Sequence, residues 1–104
     1  MSRERSKRRE AEQKLDQIIE AREKLFAMSP GGAPGNPILL GSASLVEARA
    51  TSIQCPRCAD LTLRIEDHTA DTVGGVRLRT VRLRCSQCSR ERRLWFKLGS
   101  MLAN

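Results

Sequence analysis

Two cysteine pairs of identical spacing restrict what this 104-residue chain can fold into more than any other feature. They are Cys55-x2-Cys58 and Cys85-x2-Cys88, with 26 residues between the pairs. Two residues between cysteines let both sulfurs converge on one ion while backbone amides of the same turn donate to them. Two such turns supply four thiolates, which make a closed tetrahedral site for zinc. Pro56 fixes one backbone angle of the first turn and favours the bend. The reading is one structural Zn2+ held by Cys55, Cys58, Cys85 and Cys88. A redox pair fits less well, because the two pairs flank a hairpin. Iron in the same sulfur cage is chemically open. Catalytic zinc is disfavoured, since four thiolates leave no position for water. His68, the only histidine, reads as an exposed strand residue and not as a ligand.

The first residues, MSRERSKRREAEQKLD, hold no apolar run suited to a signal peptide or a membrane span. The expected compartment is therefore the reducing cytoplasm, where structural disulfides are uncommon and thiolates are available to a metal. The net charge is +7, and residues 55–104 carry most of it, with ten Lys/Arg against five Asp/Glu. Four thiolates around one divalent zinc leave a formal −2, so cations nearby favour the deprotonated ligands. Arg57, Arg84 and Arg90 each lie within two residues of a cysteine and account for part of that charge without any partner.

Between the cysteine pairs, Leu61, Leu63 and Ile65 alternate with Thr62, Arg64 and Glu66, as in a strand with one buried face. TADTVGG supplies a turn, and VRLRTVRLRC returns. The return strand changes parity once, from Val76 and Leu78 to Val81 and Leu83. A β-bulge near Thr80–Val81 would do this, and so would burial on both sides. RRLWFKL then forms a third strand with Leu94, Phe96 and Leu98 on one parity.

Knuckle, hairpin, knuckle and third strand over about residues 54–98 resemble a zinc ribbon, carried by Cys55-Pro56-Arg57-Cys58, Cys85-Ser86-Gln87-Cys88 and Trp95-Phe96-Lys97. The resemblance is to ribbons of transcript-cleavage elongation factors, RNA polymerase small subunits and archaeal-type transcription initiation factors. It implies the fold, while function does not travel with fold. The cleavage factors place an adjacent Asp-Glu pair at the hairpin tip to hold magnesium, and those positions here are Val76 and Arg77. A basic residue there opposes a divalent cation, so transcript cleavage is not implied.

The expected architecture is small α+β: an N-terminal amphipathic helix, then a three-stranded antiparallel zinc ribbon, with one or two extra short strands before it. Residues 1–28 form the helix with its basic head, 29–36 (SPGGAPGN) a Pro/Gly linker, and 37–54 the short strands. Residues 55–98 form the ribbon and 99–104 a tail. In the segment 37–54, Val46, Ala48 and Ala50 alternate as a strand does.

Alternation leaves Arg93, Trp95 and Lys97 on the outer face of the third strand, with Arg77 and Arg79, or Arg82 and Arg84 after the parity change, extending it. A ring for base stacking between cations suits nucleic acid. In the helix, Leu15, Ile18, Ile19, Leu25 and Phe26 recur at three- and four-residue steps and require cover. That cover is the ribbon itself, which would make Trp95 core, or a protein partner or second copy; the remaining alternative is an isolated or disordered helix. Two functions follow. One is a non-enzymatic structural-zinc module that binds nucleic acid or a nucleic-acid machine. The other is a protein-interaction adaptor or homodimer using the helix. No histidine–nucleophile pair, open metal site or phosphate-binding glycine loop is present, so no catalytic residue, small-molecule substrate or membrane contact is expected.

Overall fold

The computed structural model describes residues 2–99. The tail assigned to 99–104 lies, beyond Gly99, outside the described residues. Helix α1 spans Ser2–Met28, and strand β1 spans Ile38–Leu40. After a 3-10 turn at Ala43–Leu45 come helix α2 (Val46–Thr51) and strands β2 (Leu63–Val73), β3 (Val76–Cys85) and β4 (Glu91–Leu98). Among the described residues no helix is long and apolar enough to cross a membrane.

Helix α1 ends where Pro30 bars further helical hydrogen bonding. The hydroxyl and amide of Ser29 both donate to the Leu25 carbonyl, and the Asn36 side chain donates to the Met28 carbonyl. The Pro/Gly segment is a hydrogen-bonded turn against the sheet. The Gly31 amide donates to the Asn36 carbonyl at 2.7 Å, and the Gly31 carbonyl accepts from the Trp95 amide at 3.0 Å. Gly31 has φ +89°, and a Cβ there would lie 2.7 Å from Ile38 Cδ1. Only glycine fits so close to that side chain at that backbone angle.

The sheet is four-stranded and mixed, in the order β1-β4-β3-β2: the three antiparallel strands expected from the sequence are joined by one short preceding strand, whose parallel pairing the sequence did not indicate. Strands β2, β3 and β4 are antiparallel neighbours. β1 adds a parallel edge, pairing Ile38 with Phe96 and Leu40 with Leu98. The hairpin strand β2 is longer than the sequence suggested. It runs to Val73, and the turn is the two residues Gly74 and Gly75, at φ +57° and +82°. Positive φ at both positions is what a two-residue type I′ hairpin turn demands. Leu61, expected on the buried face, precedes the strand and is 61 % exposed.

Two further expectations are corrected. The segment Val46–Thr51 is helical, and Val46 and Ala50, four residues apart, are both fully buried while Ala48 is exposed. Val46 and Ala50 satisfy a four-residue period as well as a two-residue one. Alanine's helix propensity and the packing of α2 on β2 and β3 select the former. The β-bulge lies in β2 and not in β3, since Ile65 pairs with Leu83 but Asp67 pairs with Arg82, leaving Glu66 as the extra residue. The parity change in β3 has the other cause: Leu78, on the face of Thr80 and Trp95, is only 3 % exposed.

Paired residues share a face, so one face carries Leu63, Ile65, Val81, Leu83, Cys85, Leu94, Phe96 and Ile38. Val46 and Ala50 of α2 cover it, together with Phe26 from the last turns of α1. The rest of α1 projects. The molecule measures 65 × 24 × 22 Å, and a helix of this length is about 40 Å long. The helical stripe divides accordingly. Phe26 and Ile19 are partly buried, whereas Leu15 (55 %), Ile18 (48 %) and Leu25 remain exposed.

Candidate metal centre

Each cysteine pair sits in a turn of the same design. The carbonyl of Cys55 accepts from the Ala59 amide at 2.7 Å, and its amide donates to the Asp60 carbonyl at 3.0 Å. The carbonyl of Cys85 accepts from the Ser89 amide at 3.0 Å, and its amide donates to the Arg90 carbonyl at 3.1 Å. Ala59 and Ser89, four residues after the first cysteine of each pair, both take positive φ, at +55° and +60°. Their left-handed backbone closes the turn and directs both sulfurs inward. The β2–β3 hairpin then returns the second turn to the first, with Leu63 paired to Cys85 and the Ser86 amide donating to the Thr62 carbonyl.

The four sulfurs lie within 4.8 Å of one another. Two distances between the turns are 3.8 Å for Cys55–Cys88 and 3.6 Å for Cys58–Cys85. Zinc–sulfur bonds of about 2.3 Å in a tetrahedron give sulfur–sulfur edges of about 3.8 Å, so the set fits a four-thiolate metal site. All four cysteines are free thiols, far from the roughly 2.05 Å of a covalent bridge. Cys55 and Cys85 are buried, and Cys58 and Cys88 are half-buried.

The thiols differ in how readily they ionise. Burial, followed by the neighbouring cysteines, pushes Cys58 up to about 12. Burial also opposes ionisation of Cys85, but the amides of Cys88 and Gln87 and the Thr62 hydroxyl, 2.9 Å from the sulfur, outweigh it and bring that thiol down to about 6. The donors around Cys85 therefore favour its charged form, the form a cation binds.

The cations are arranged differently from the sequence expectation. Arg84 is engaged by the Glu66 carboxylate at 3.1 Å and by the Ser89 carbonyl at 2.7 Å, bracing the second turn against β2. Arg57 and Arg90 are exposed. The buried cation is Arg92, which the sequence reading passed over. Its side chain is 10 % exposed, its Nη1 donates to Glu23 Oε2 at 2.6 Å, and its guanidinium lies 5.9 Å from the centre of the Phe26 ring. Burial works against its charge, while the Glu23 carboxylate and the nearby Cys55 sulfur favour it, and the net effect holds its pKa above the ordinary arginine value. The signal was in the sequence: Arg92 has the inward parity of Leu94, Phe96 and Leu98. His68 is half-buried on the core face, paired with Val81, and is not among the clustered ligands.

The candidate binding residues split between the two faces of the sheet. Arg93, Trp95 and Lys97 share the outer face of β4, and Trp95 is half-buried between its exposed neighbours. Trp95 pairs with Thr80, so Arg82 and Arg84 are on that face, whereas Arg79, paired with Phe96, and Arg77 belong to the other. Acidic residues share the outer face too. Arg82 pairs with Glu91 at 3.4 Å, and Asp67 and Asp71 line a shallow depression with Thr69, Thr80, Arg82 and Arg93. The hydroxyls of Thr69 and Thr80 hold Asp71 below the usual carboxylate range. Neither helix covers this face; Phe26 and α2 both pack on the opposite one. Between the end of α1 and the first cysteine turn lies a cleft of about 410 Å3, floored by Phe26, Ile38 and Leu94.

Comparison of the chain with known proteins finds no matching family model, no matching curated protein and no matching solved structure.

Proposed function

We propose that this chain is a non-enzymatic module in which one structural zinc ion, held by Cys55, Cys58, Cys85 and Cys88, stabilises a ribbon that binds nucleic acid or a machine that handles it. The observation that carries the reading is Trp95 between exposed Arg93 and Lys97 on a sheet face that neither helix covers. The exposed part of an indole ring gives a base a stacking surface worth roughly 1–3 kcal/mol, and the flanking cations meet phosphates. Asp67, Asp71 and the Arg82–Glu91 pair confine the cationic strip to β4. Contact with two phosphates of a single strand implies a shallow salt dependence, a slope of about −1.4 in log K against log salt.

The test is Trp95→Ala in the zinc-loaded protein, titrated with single-stranded and duplex polynucleotides. The expected result is a loss of about 1 kcal/mol or more in affinity for single strands. Equal affinities for the variant and the parent would remove the stacking role.

A second reading rests on a different observation. Leu15 and Ile18 are exposed on a helix that projects from the sheet, an apolar stripe suited to a protein partner or a second copy of the chain. If α1 serves as an adaptor, Ile18→Asp abolishes self-association or partner capture while zinc content stays the same. Sedimentation equilibrium reads the first effect, and an unchanged molar mass with a monomeric parent disposes of the homodimer.

A further inference from the structure

Arg92 occupies an unusual position for a cation. Its pairing with Leu83 puts it on the core face, two positions along the ladder from Cys85, and its side chain is nine-tenths buried. Burying a guanidinium is costly unless its charge and its N–H groups are met. Glu23 meets one of them through Nη1. Among the described residues the buried Nε and Nη2 have no hydrogen-bond partner, and neither does Glu23 Oε1. By strand pairing the cysteine cluster lies next along this face, since Cys85 is two positions beyond Leu83, the partner of Arg92. A negative charge on the Cys55 sulfur of that cluster favours the arginine's protonated form. A four-thiolate site holding a divalent ion carries −2, so a filled centre supplies the counter-charge and the acceptor that these two donors lack. On its other side the same guanidinium holds Glu23 at 2.6 Å and lies over Phe26, the two α1 residues that meet the sheet's core face and its β4 arginine.

We propose that Arg92 is a positioning residue that links the metal centre to helix α1: its free N–H groups support the Cys55 sulfur of the filled site while its Nη1 clasps Glu23. It thereby sets both how tightly the centre holds its ion and whether the helix stays docked. This rests on the zinc reading above. Removal of metal alone cannot test it, because a ribbon without its ion would lose α1 for lack of a surface. The separation has to come from variants that are loaded with metal.

The experiment uses the full chain loaded with Zn2+ or Co2+, as parent, Arg92→Gln, Arg92→Lys and Glu23→Gln. Three quantities are read: metal affinity by chelator competition, the sulfur-to-cobalt charge-transfer band, and hydrogen exchange of residues 19–28 with the amides of β3 and β4 as the control for an intact ribbon. R92Q is expected to weaken metal binding about 10- to 100-fold, the usual cost of losing a group that supports a ligand. It also shifts the cobalt band and speeds exchange in residues 19–28 while β3 and β4 stay protected. R92K restores charge but not the forked donors and falls between R92Q and parent, and it serves as the test if R92Q does not fold. E23Q releases the helix and leaves the cobalt band where it was. If loaded R92Q or R92K keeps the parent's affinity and band, Arg92 is only a helix clamp and the link is overturned. If affinity falls while residues 19–28 stay protected, the clasp is overturned instead. A parent that takes up neither ion rejects the zinc reading itself, an outcome distinct from both.

Discussion

Stripping the proposed zinc ion from the protein with a chelator should unfold residues 55–98 and leave much of α1 helical. Little besides the cysteine cluster holds this part of the chain together. Its core is one face of a small sheet covered by Val46, Ala50 and Phe26, and two of its fully buried side chains, Cys55 and Cys85, belong to the cysteine cluster that fits a metal ion. Domains of this size rarely gain more than a few kcal/mol from such a core. Structural zinc supplies of order 10–16 kcal/mol in small zinc-binding peptides, as much as the whole stability of an ordinary domain. Without an ion the four sulfurs within 4.8 Å of one another have no common partner, and only the hairpin pairing and the Ser86–Thr62 hydrogen bond hold the second turn near the first. Helix α1 depends on the ribbon only at its last turns, through Glu23 and Phe26. The far-UV spectrum should therefore lose its strand contribution and keep a reduced helical one, with one equivalent of zinc released per chain. Protected amides in β3 and β4 after complete removal of metal would contradict the whole account of the centre.

Phe96→Ala has the next largest effect. Phe96 is completely buried and sits where three strands meet, paired with Arg79 of β3 on one side and Ile38 of β1 on the other. Truncating a buried phenylalanine costs about 3–5 kcal/mol, through lost transfer energy and the cavity left behind. The cavity does not collapse easily here, because the backbone around it is pinned: the Trp95 amide donates to Gly31 and the Gly99 amide to Leu40. In urea the zinc-loaded variant should unfold at a much lower midpoint with an unchanged slope. Leu61→Ala is the control. Leu61 is an equally apolar residue of the same ribbon but is mostly exposed, and its truncation should change stability by no more than about 0.5 kcal/mol. Comparable losses in the two variants would mean that β4 does not form the core of this sheet.

Much of the centre was legible in the residues because its determinants are local. Each turn needs only a Cys-x2-Cys run and a residue willing to take positive φ immediately after it, and the hairpin that brings the turns together shows as alternating apolar residues around Gly74-Gly75. Helix α1 was equally local, since a run of strong helix formers decides its own state up to Pro30. The outward parity of Arg93, Trp95 and Lys97 followed from the pleat alone.

What the tertiary structure decided were the matters of neighbourhood. β1 is three residues long and pairs in parallel with a strand more than fifty residues later, a partner that no local pattern names. Val46 and Ala50 fitted two periods, and only the packing of α2 on β2 and β3 chose between them. The parity change in β3 admitted a bulge or two-sided burial, and the choice lay in the pairing of β2, where the bulge proved to be. The arginines near the cysteines in sequence lie apart from them in function: Arg84 braces Glu66 and Ser89, while Arg92 is the one buried on the core face, held by Glu23. Sequence distance determines backbone geometry over a few residues. Charge, by contrast, acts through space, and the position of a long side chain is set by whichever element packs above it, here the last turns of a helix nearly seventy residues earlier.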